Sequence, residues 1–468
     1  MHRRSVSSLR TKLDRLGSAG PSRTASPPIA AGVSYFKGPA PQRDRVEVVQ
    51  ALREAITRVM ARKPVASASP ADPTVGDLPF AAVETDHGTL YVREVSFEPH
   101  HRVGRFPVGP AKHSDAAMLS LLALDPAIAS LDLARALYLD TETTGLSGGT
   151  GTLPFLIGLG FFSAAGHFVV EQLFLRRPGE EAPILARVAS RLQDASMLVT
   201  FNGKAFDMPL VRTRFVMNRM SEPPARAHLD LLHVARRLHR ARIGSCSLGA
   251  VENGVLGFGR VDDVPSCEVS VRYAHFLRTG DEAALLGVIG HNTWDVVTMA
   301  ALVGLYGEPS SGLHAEDLAH AAQTAQRAKA SECAAGLANE AVARGGGAVA
   351  TRARGLIAKA RGDRDRALAD FESLVKEVDD PQARLELAKL YEHHCKAPRA
   401  ALRVVEQGTV EAPTDAARRH ARLKAKIERD DVKACKACER QHADVGQGTL
   451  PGFLPTHQDG RSPNGTAP

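Results

Sequence analysis

The sequence predicts an α/β domain built on a mixed sheet with flanking helices, followed by an α-helical region of repeating character. Three observations carry that expectation. Strand candidates ALYLD, FLIGLGFF and HFVVEQLFL follow one another from residue 136, joined by Gly-rich or Ala-Gly turns. From about residue 180 the pattern switches to alternating helix and strand. Beyond about residue 312 the chain becomes Ala-, Arg- and Leu-rich with helical periodicity. At 468 residues it is too long for one compact core and fits two modest domains plus irregular segments.

Residues 1–78 form the first segment. Up to about residue 44 it is rich in Ser, Pro, Gly and Arg without periodicity, a composition that cannot offset the entropy of ordering. VEVVQALREAITRVMARK, from Val46, places apolar groups at helical spacing, and Pro64 to Pro73 then reads as a linker. The net charge of +7 is concentrated here, because residues 1–63 hold 13 Lys+Arg against 4 Asp+Glu, leaving −2 for the rest. Such a tail either holds phosphate backbones through counterion release or is merely solvated. No run approaches the roughly 18 apolar residues that span a bilayer, and the first residues lack an apolar signal-peptide core. Six scattered cysteines suit a reducing compartment, so the expected location is cytoplasmic, with no membrane partner.

Residues 79–135 read as a lead-in, with strands such as GTLYVREVSF and a helix at SDAAMLSLLAL. The main domain, 136–306, continues past its three-strand meander with a helix at about 180–193 and the strand SMLVTF. A helix from about 206, the helix DLLHVARRLHRA and a last helical region at 281–306 complete it. A meander followed by β/α units is the ribonuclease-H-like plan. In the helical region, 312–425, Ala367 and Ala401, Leu368 and Leu402, and Phe371 and Val405 lie 34 apart, the period of tetratricopeptide helix hairpins. An Ala-rich extension with coincident spacing is the other reading. Residues 426–468 read as a disordered tail, in which Cys435 and Cys438, with His442, are half of a zinc site or an incidental placement.

The chemistry rests on acids at element ends. In YLDTET, Asp140 and Glu142 are two apart on a strand, so both side chains leave the same face. A DxE triplet alone is common. Here an apolar strand runs straight into it, and adjacent acids at a buried strand end repel unless a cation holds them; capping of the following turn is the competing role. In VTFNGKAFDMPL a strand ends and a helix begins near Asp207, which can face the first strand's end, though Asp is favoured at any helix start. In IGHNTWDVV, His291 and Asp295 share a helix face if the helix already includes Gly290. Otherwise Asn292 caps a helix that starts later, with Asp295 at its third position. Asp230 reads as a helix N-cap, and Arg236, Arg237, Arg240 and Arg242 as phosphate contacts or a solvated face. Four carboxylates would suit two divalent ions about 4 Å apart, Mg²⁺ or Mn²⁺, which prefer hard oxygen ligands.

LDTETTGLSGGTGT, FNGKAFDMP, DLLHVARRL and HNTWD together resemble the YprB-type ribonuclease-H-like domains of the DEDD exonuclease superfamily, over about residues 80–306. That resemblance implies a 3′→5′ exonuclease in which Asp140 and Glu142 match the first motif, Asp207 the second and Asp295 the third. His291 stands at the general-base position. The spacing departs from the better-known patterns, HxxxxD and YxxxD, because His291 and Asp295 give HxxxD. Thr144, Gly145, Asn202, Phe206 and Asn292, beside these acids, together with Arg236 and Arg237, are the expected nucleic-acid contacts. The expected substrate is a nucleic acid with a free 3′ end, DNA or RNA, and the C-terminal helices would dock a protein partner. Competing expectations are a noncatalytic nucleic-acid-binding or scaffold protein and a hydrolase of small nucleotides.

Overall fold

The computed structural model describes residues 78–145 and 151–445, with side chains to residue 437. The basic N-terminal segment, with the helix expected from Val46, and the chain after Val445 lie outside the described residues. A seven-stranded sheet dominates, made of β1 (Ala81–Thr85), β2 (Gly88–Phe97), β5 (Ala136–Thr143), β6 (Pro154–Phe162), β7 (Phe168–Phe174), β8 (Met197–Thr200) and β9 (Ala227–Asp230). Their order is β1-β2-β7-β6-β5-β8-β9. The short β3 (Arg102–Val103) and β4 (Phe106–Pro107) pair apart from it. β5, β6 and β7 form the antiparallel meander, while β8 and β9 add in parallel on the far side of β5. This is the ribonuclease-H-like mixed sheet with flanking helices.

Residues 79–135 are more than a lead-in. β2 pairs along its length with β7, from Tyr91 opposite Phe174 to Phe97 opposite Phe168, and so extends the main sheet. β9 escaped the sequence because AHLD is four residues long, and only its parallel register with β8 makes it a strand.

Helices cover both faces: α1 (Ala116–Ala123), α2 (Ala182–Asp194), α3 (Asp207–Met217), α4 (Leu231–Leu238), α5 (Ser266–Thr279) and α6 (Leu286–Gly307). Alternation along β5 divides the core. Tyr138 packs on the face that meets α1, α4 and most of α6, whereas Leu137 and Leu139 pack on the face covered by α2, α3 and α5. α6 continues unbroken through Gly290, so the break considered there does not occur. Its length from Val296 to Gly307 is buried.

The helical region holds α7 (Ala315–Arg327), α8 (Ser331–Ala343), α9 (Gly347–Arg361), α10 (Arg364–Glu377), α11 (Pro381–His393), α12 (Pro398–Glu406) and α13 (Pro413–Val445). Gly347 and Pro381, which open α9 and α11, lie 34 positions apart, as do Arg364 and Pro398, which open α10 and α12. α13 corrects the boundary at residue 425, since its helix runs on to Val445. Cys435 lies exposed on it, and the Cys438 and His442 side chains are beyond those described. The boundary at 312 is also not a break in packing: Leu318, Ala322, Leu337, Ala350 and Ile357 join the same apolar core as Tyr138 and Val297. Across that junction the buried Asp317 carboxylate lies 2.9 Å from the His239 ring and accepts from Arg242 at 3.0 and 3.1 Å.

Candidate metal centre

β5 delivers Asp140 and Glu142 to the Tyr138 side of the sheet, the side that meets α6. Asp140 accepts a hydrogen bond of 2.9 Å from the Asn292 amide. Burial, then repulsion from Asp295, Asp207 and Glu142, push its carboxyl well above the usual range, against the pull of that hydrogen bond. Glu142 is 8% exposed, and its buried Oε1 has no hydrogen-bond partner. Burial and the charges of Asp295 and Asp207 push it up to about 8, although His291 and Arg260 draw it down. Asp207, the first residue of α3, accepts from the Thr141 hydroxyl at 2.5 Å and is pushed up to about 6, chiefly by burial.

α6 supplies the other wall. His291 and Asp295 stand one turn apart on it, with His291 Nε2 3.9 Å from Glu142 Oε1 and 3.6 Å from Asp295 Oδ2. One ligand atom each from Glu142, His291 and Asp295 lies within 4.8 Å of the other two. Asp140 and Asp207 stand outside that tight trio but close enough to repel it. His291 Nδ1 is 2.6 Å from Asp263. Burial alone would lower the imidazole pKa; Asp295, Glu142 and Asp263 outweigh it and raise it. A buried oxygen without a hydrogen-bond partner, beside carboxylates crowded above their ordinary range, is a donor set suited to a divalent cation.

The fully buried Asn292 is not a nucleic-acid contact, which corrects the expectation. Its Oδ1 accepts from Gln172 at 2.8 Å while its Nδ2 donates to Asp140, so both ends of the amide are used inside the protein. Gln172 on β7 also donates to the Ile289 carbonyl at 2.9 Å and accepts from Arg93 at 2.5 Å. The line Arg93–Gln172–Asn292 ends on Asp140 and fixes it. Gly158 on β6 leaves the room, since a Cβ there would come within 2.4 Å of Asn292 Oδ1. A glutamine in the apolar strand FVVEQLF was the readable signal for this line.

Arg237 is half-buried, and its guanidinium donates to the Leu122 carbonyl at 3.1 Å. Arg236 is exposed. Thr144 brackets the loop after β5, donating its N–H to the Leu153 carbonyl and accepting the Leu153 N–H at its hydroxyl, both at 3.0 Å. The Gly145 carbonyl accepts from Thr143 at 2.9 Å. Asn202 is exposed in the left-handed region at φ 72°, and the half-buried Phe206 directly precedes α3. Asp230 caps α4 as expected, accepting from Leu232 at 3.1 Å, and also takes the N–H groups of Asn202 and Lys204 at 2.9 and 3.1 Å.

Three residues near α6 went unseen in the sequence: Glu252, Arg260 and Asp263. They lie in and after a turn of π-helix, Glu252–Leu256, where no periodicity announces them. Glu252 is 1% exposed and takes Arg260 Nε at 2.9 Å and the Thr298 hydroxyl at 2.5 Å. Arg260 also donates to Asp295 Oδ1.

Residues 137–306 match the family model described as the RNase_H superfamily. The uncharacterized protein YprB of Bacillus subtilis (strain 168) is 40% identical over 167 residues, which are 35% of this chain and 40% of that protein. The chain thus matches less than half of the relative's length. A family B DNA polymerase from the hyperthermophilic archaeon Pyrobaculum calidifontis superposes with a TM-score of 0.30 and 15% identity, over 48% of this chain and 29% of the polymerase. That superposition is too loose to carry function across. Sheet order, the family match and the shared sequence agree on one conclusion: residues 137–306 are a YprB-like ribonuclease-H-like domain, a nuclease-type fold.

Proposed function

We propose that this protein is a metal-dependent 3′→5′ exonuclease acting on DNA or RNA, with Asp140, Glu142, Asp207 and Asp295 holding two divalent ions. The observation that carries the reading is the crowding of buried carboxylates. Glu142 has a buried oxygen without a hydrogen-bond partner facing His291 and Asp295, and burial, then the neighbouring acids, raise both Glu142 and Asp140. Bound Mg²⁺ or Mn²⁺ would supply the charge that stabilises the attacking and leaving oxygens of a phosphodiester. Asn292 and Thr141 orient Asp140 and Asp207. His291, held at Nδ1 by Asp263, turns Nε2 toward the acids and there accepts a proton from the attacking water. That base role needs a neutral imidazole, so it requires the surrounding negative charge to be offset. Thr144, Gly145, Asn202, Phe206 and Arg236 remain the proposed contacts to the strand, and the C-terminal helices the proposed docking site for a protein partner.

The test is degradation of 5′- and 3′-labelled single-stranded DNA and RNA by the full chain in Mn²⁺. A 5′-labelled strand is expected to shorten stepwise and to stay intact in EDTA. Asp140→Asn should abolish the shortening, while its melting temperature in EDTA holds or rises because a group that burial and its neighbours keep from ionising is replaced by a neutral one. Degradation by the Asn variant at near wild-type rate overturns the assignment.

A further inference from the structure

Arg260 stands where a cation meets the candidate metal ligands from behind. Its side chain is 8% exposed, and every nitrogen of the guanidinium is engaged. Nε donates to both Glu252 oxygens, at 2.9 and 3.2 Å, and Nη2 donates to Glu252 Oε1 at 2.6 Å and to Asp295 Oδ1. Nη1 lies 3.3 Å from His291 Nδ1, 3.4 Å from the His291 carbonyl and 3.6 Å from Asp263. The contact to Asp295 occupies one carboxylate oxygen and leaves Oδ2 as the atom that faces His291 Nε2. Glu252 is the anchor. It is buried to 1%, and a carboxylate at that depth persists only with a paired cation and further hydrogen bonds, here Arg260 and Thr298.

Two roles are open to such a cation. A tethered guanidinium could compete with a metal ion for Asp295, or it could fix the carboxylate for one. The geometry separates them. Arg260 reaches Asp295 with a single nitrogen while Glu252 holds it by two, so its resting place is set by Glu252 and does not depend on Asp295. We infer that Arg260, anchored by Glu252, is a positioning residue that presents Asp295 Oδ2 to the metal site. Outer partners of this kind fix the orientation of a ligand and sharpen its affinity. The inference rests on the proposed metal site.

It is tested by calorimetric titration of the full chain with Mn²⁺, together with melting in EDTA. Two variants are needed. Arg260→Lys keeps a cation on Glu252, so the fold is preserved while the two-partner bridge is lost. The double variant Glu252→Gln with Arg260→Gln removes the bridge without leaving a buried charge unpaired. Both are expected to bind Mn²⁺ about 10- to 100-fold more weakly than wild type, with melting in EDTA near the wild-type value. Unchanged Mn²⁺ affinity in both variants overturns the inference and makes Arg260 a purely structural brace. Tighter Mn²⁺ binding overturns it in the other direction and makes the guanidinium a competitor. If wild type itself binds no Mn²⁺ that Asp140→Asn abolishes, the metal site fails, and this inference with it. The wild-type titration therefore separates the two failures.

Discussion

A carboxylate whose folded pKa lies above its unfolded value stabilises the fold only while protonated. Glu142 moves from 4.5 to about 8 and Asp207 from 3.8 to about 6. Their contribution is therefore complete below about pH 4 and lost as the pH climbs to about 8. In EDTA the melting temperature should fall across that window. Added Mn²⁺ should restore little at pH 5 and much at pH 8, where the ligands are ionised; a metal-induced gain that is flat with pH would contradict the cluster. A second outcome concerns Gly158. Alanine there would drive Asn292 off its place, since the Cβ meets Oδ1 at 2.4 Å and a Val296 methyl at 2.9 Å. Mn²⁺ affinity should drop about 10-fold or more as Asp140 loses its donor, with the helical content by circular dichroism unchanged. The four acids and His291 were legible because acids ending an apolar strand, or facing a histidine across one helical turn, are conspicuous by type and spacing. Arg260, Glu252 and Asp263 were not, because they reach the site through an irregular turn that only tertiary packing places.

At the scale of elements, the strands and helices of the meander could be read from periodicity, whereas β9 could not. Its position depends on Asp230, which closes β9, caps α4 through the Leu232 N–H and gathers the turn between β8 and α3 through the N–H groups of Asn202 and Lys204. That turn delivers Asp207. Asp230 is 3% exposed, so Asp230→Ala strips a charged acceptor from three donors at once. The cost should be about 3 kcal/mol in urea unfolding, and a loss under about 0.5 kcal/mol would show that water replaces the carboxylate. α6 was ambiguous for a similar reason. A glycine at 290 reads locally as a break, yet the buried run from Val296 to Gly307 keeps the helix continuous and so sets His291 above Asp295.

Across the whole molecule, composition changes near residue 312, but the apolar core does not. Leu318, Ala322, Leu337, Ala350 and Ile357 share it with the sheet, while the cluster from Ala358 to Leu423 is separate. A chain ending at residue 311 would expose that wall and leave Arg242 and His239 without the Asp317 carboxylate. It should aggregate or melt without cooperativity, whereas a chain ending at Arg361 should give a single cooperative transition. Soluble, cooperative behaviour of the shorter chain would make the helices an independent domain. The sequence could show a change of period at this point but not that packing continues across it, because shared burial between distant segments leaves no local mark.

That shared core also sets an order of events during synthesis. α6 carries His291 and Asp295 at its start, and the apolar core it belongs to runs on to residues as late as Ile357. A ribosome adds about 5–20 residues per second. Some seconds therefore pass between the moment α6 has been translated and the moment the last member of that shared core exists. During that interval the nascent chain carries every acid of the candidate site while part of the core it shares is still missing, so the proposed activity should emerge only once the helical region has been made.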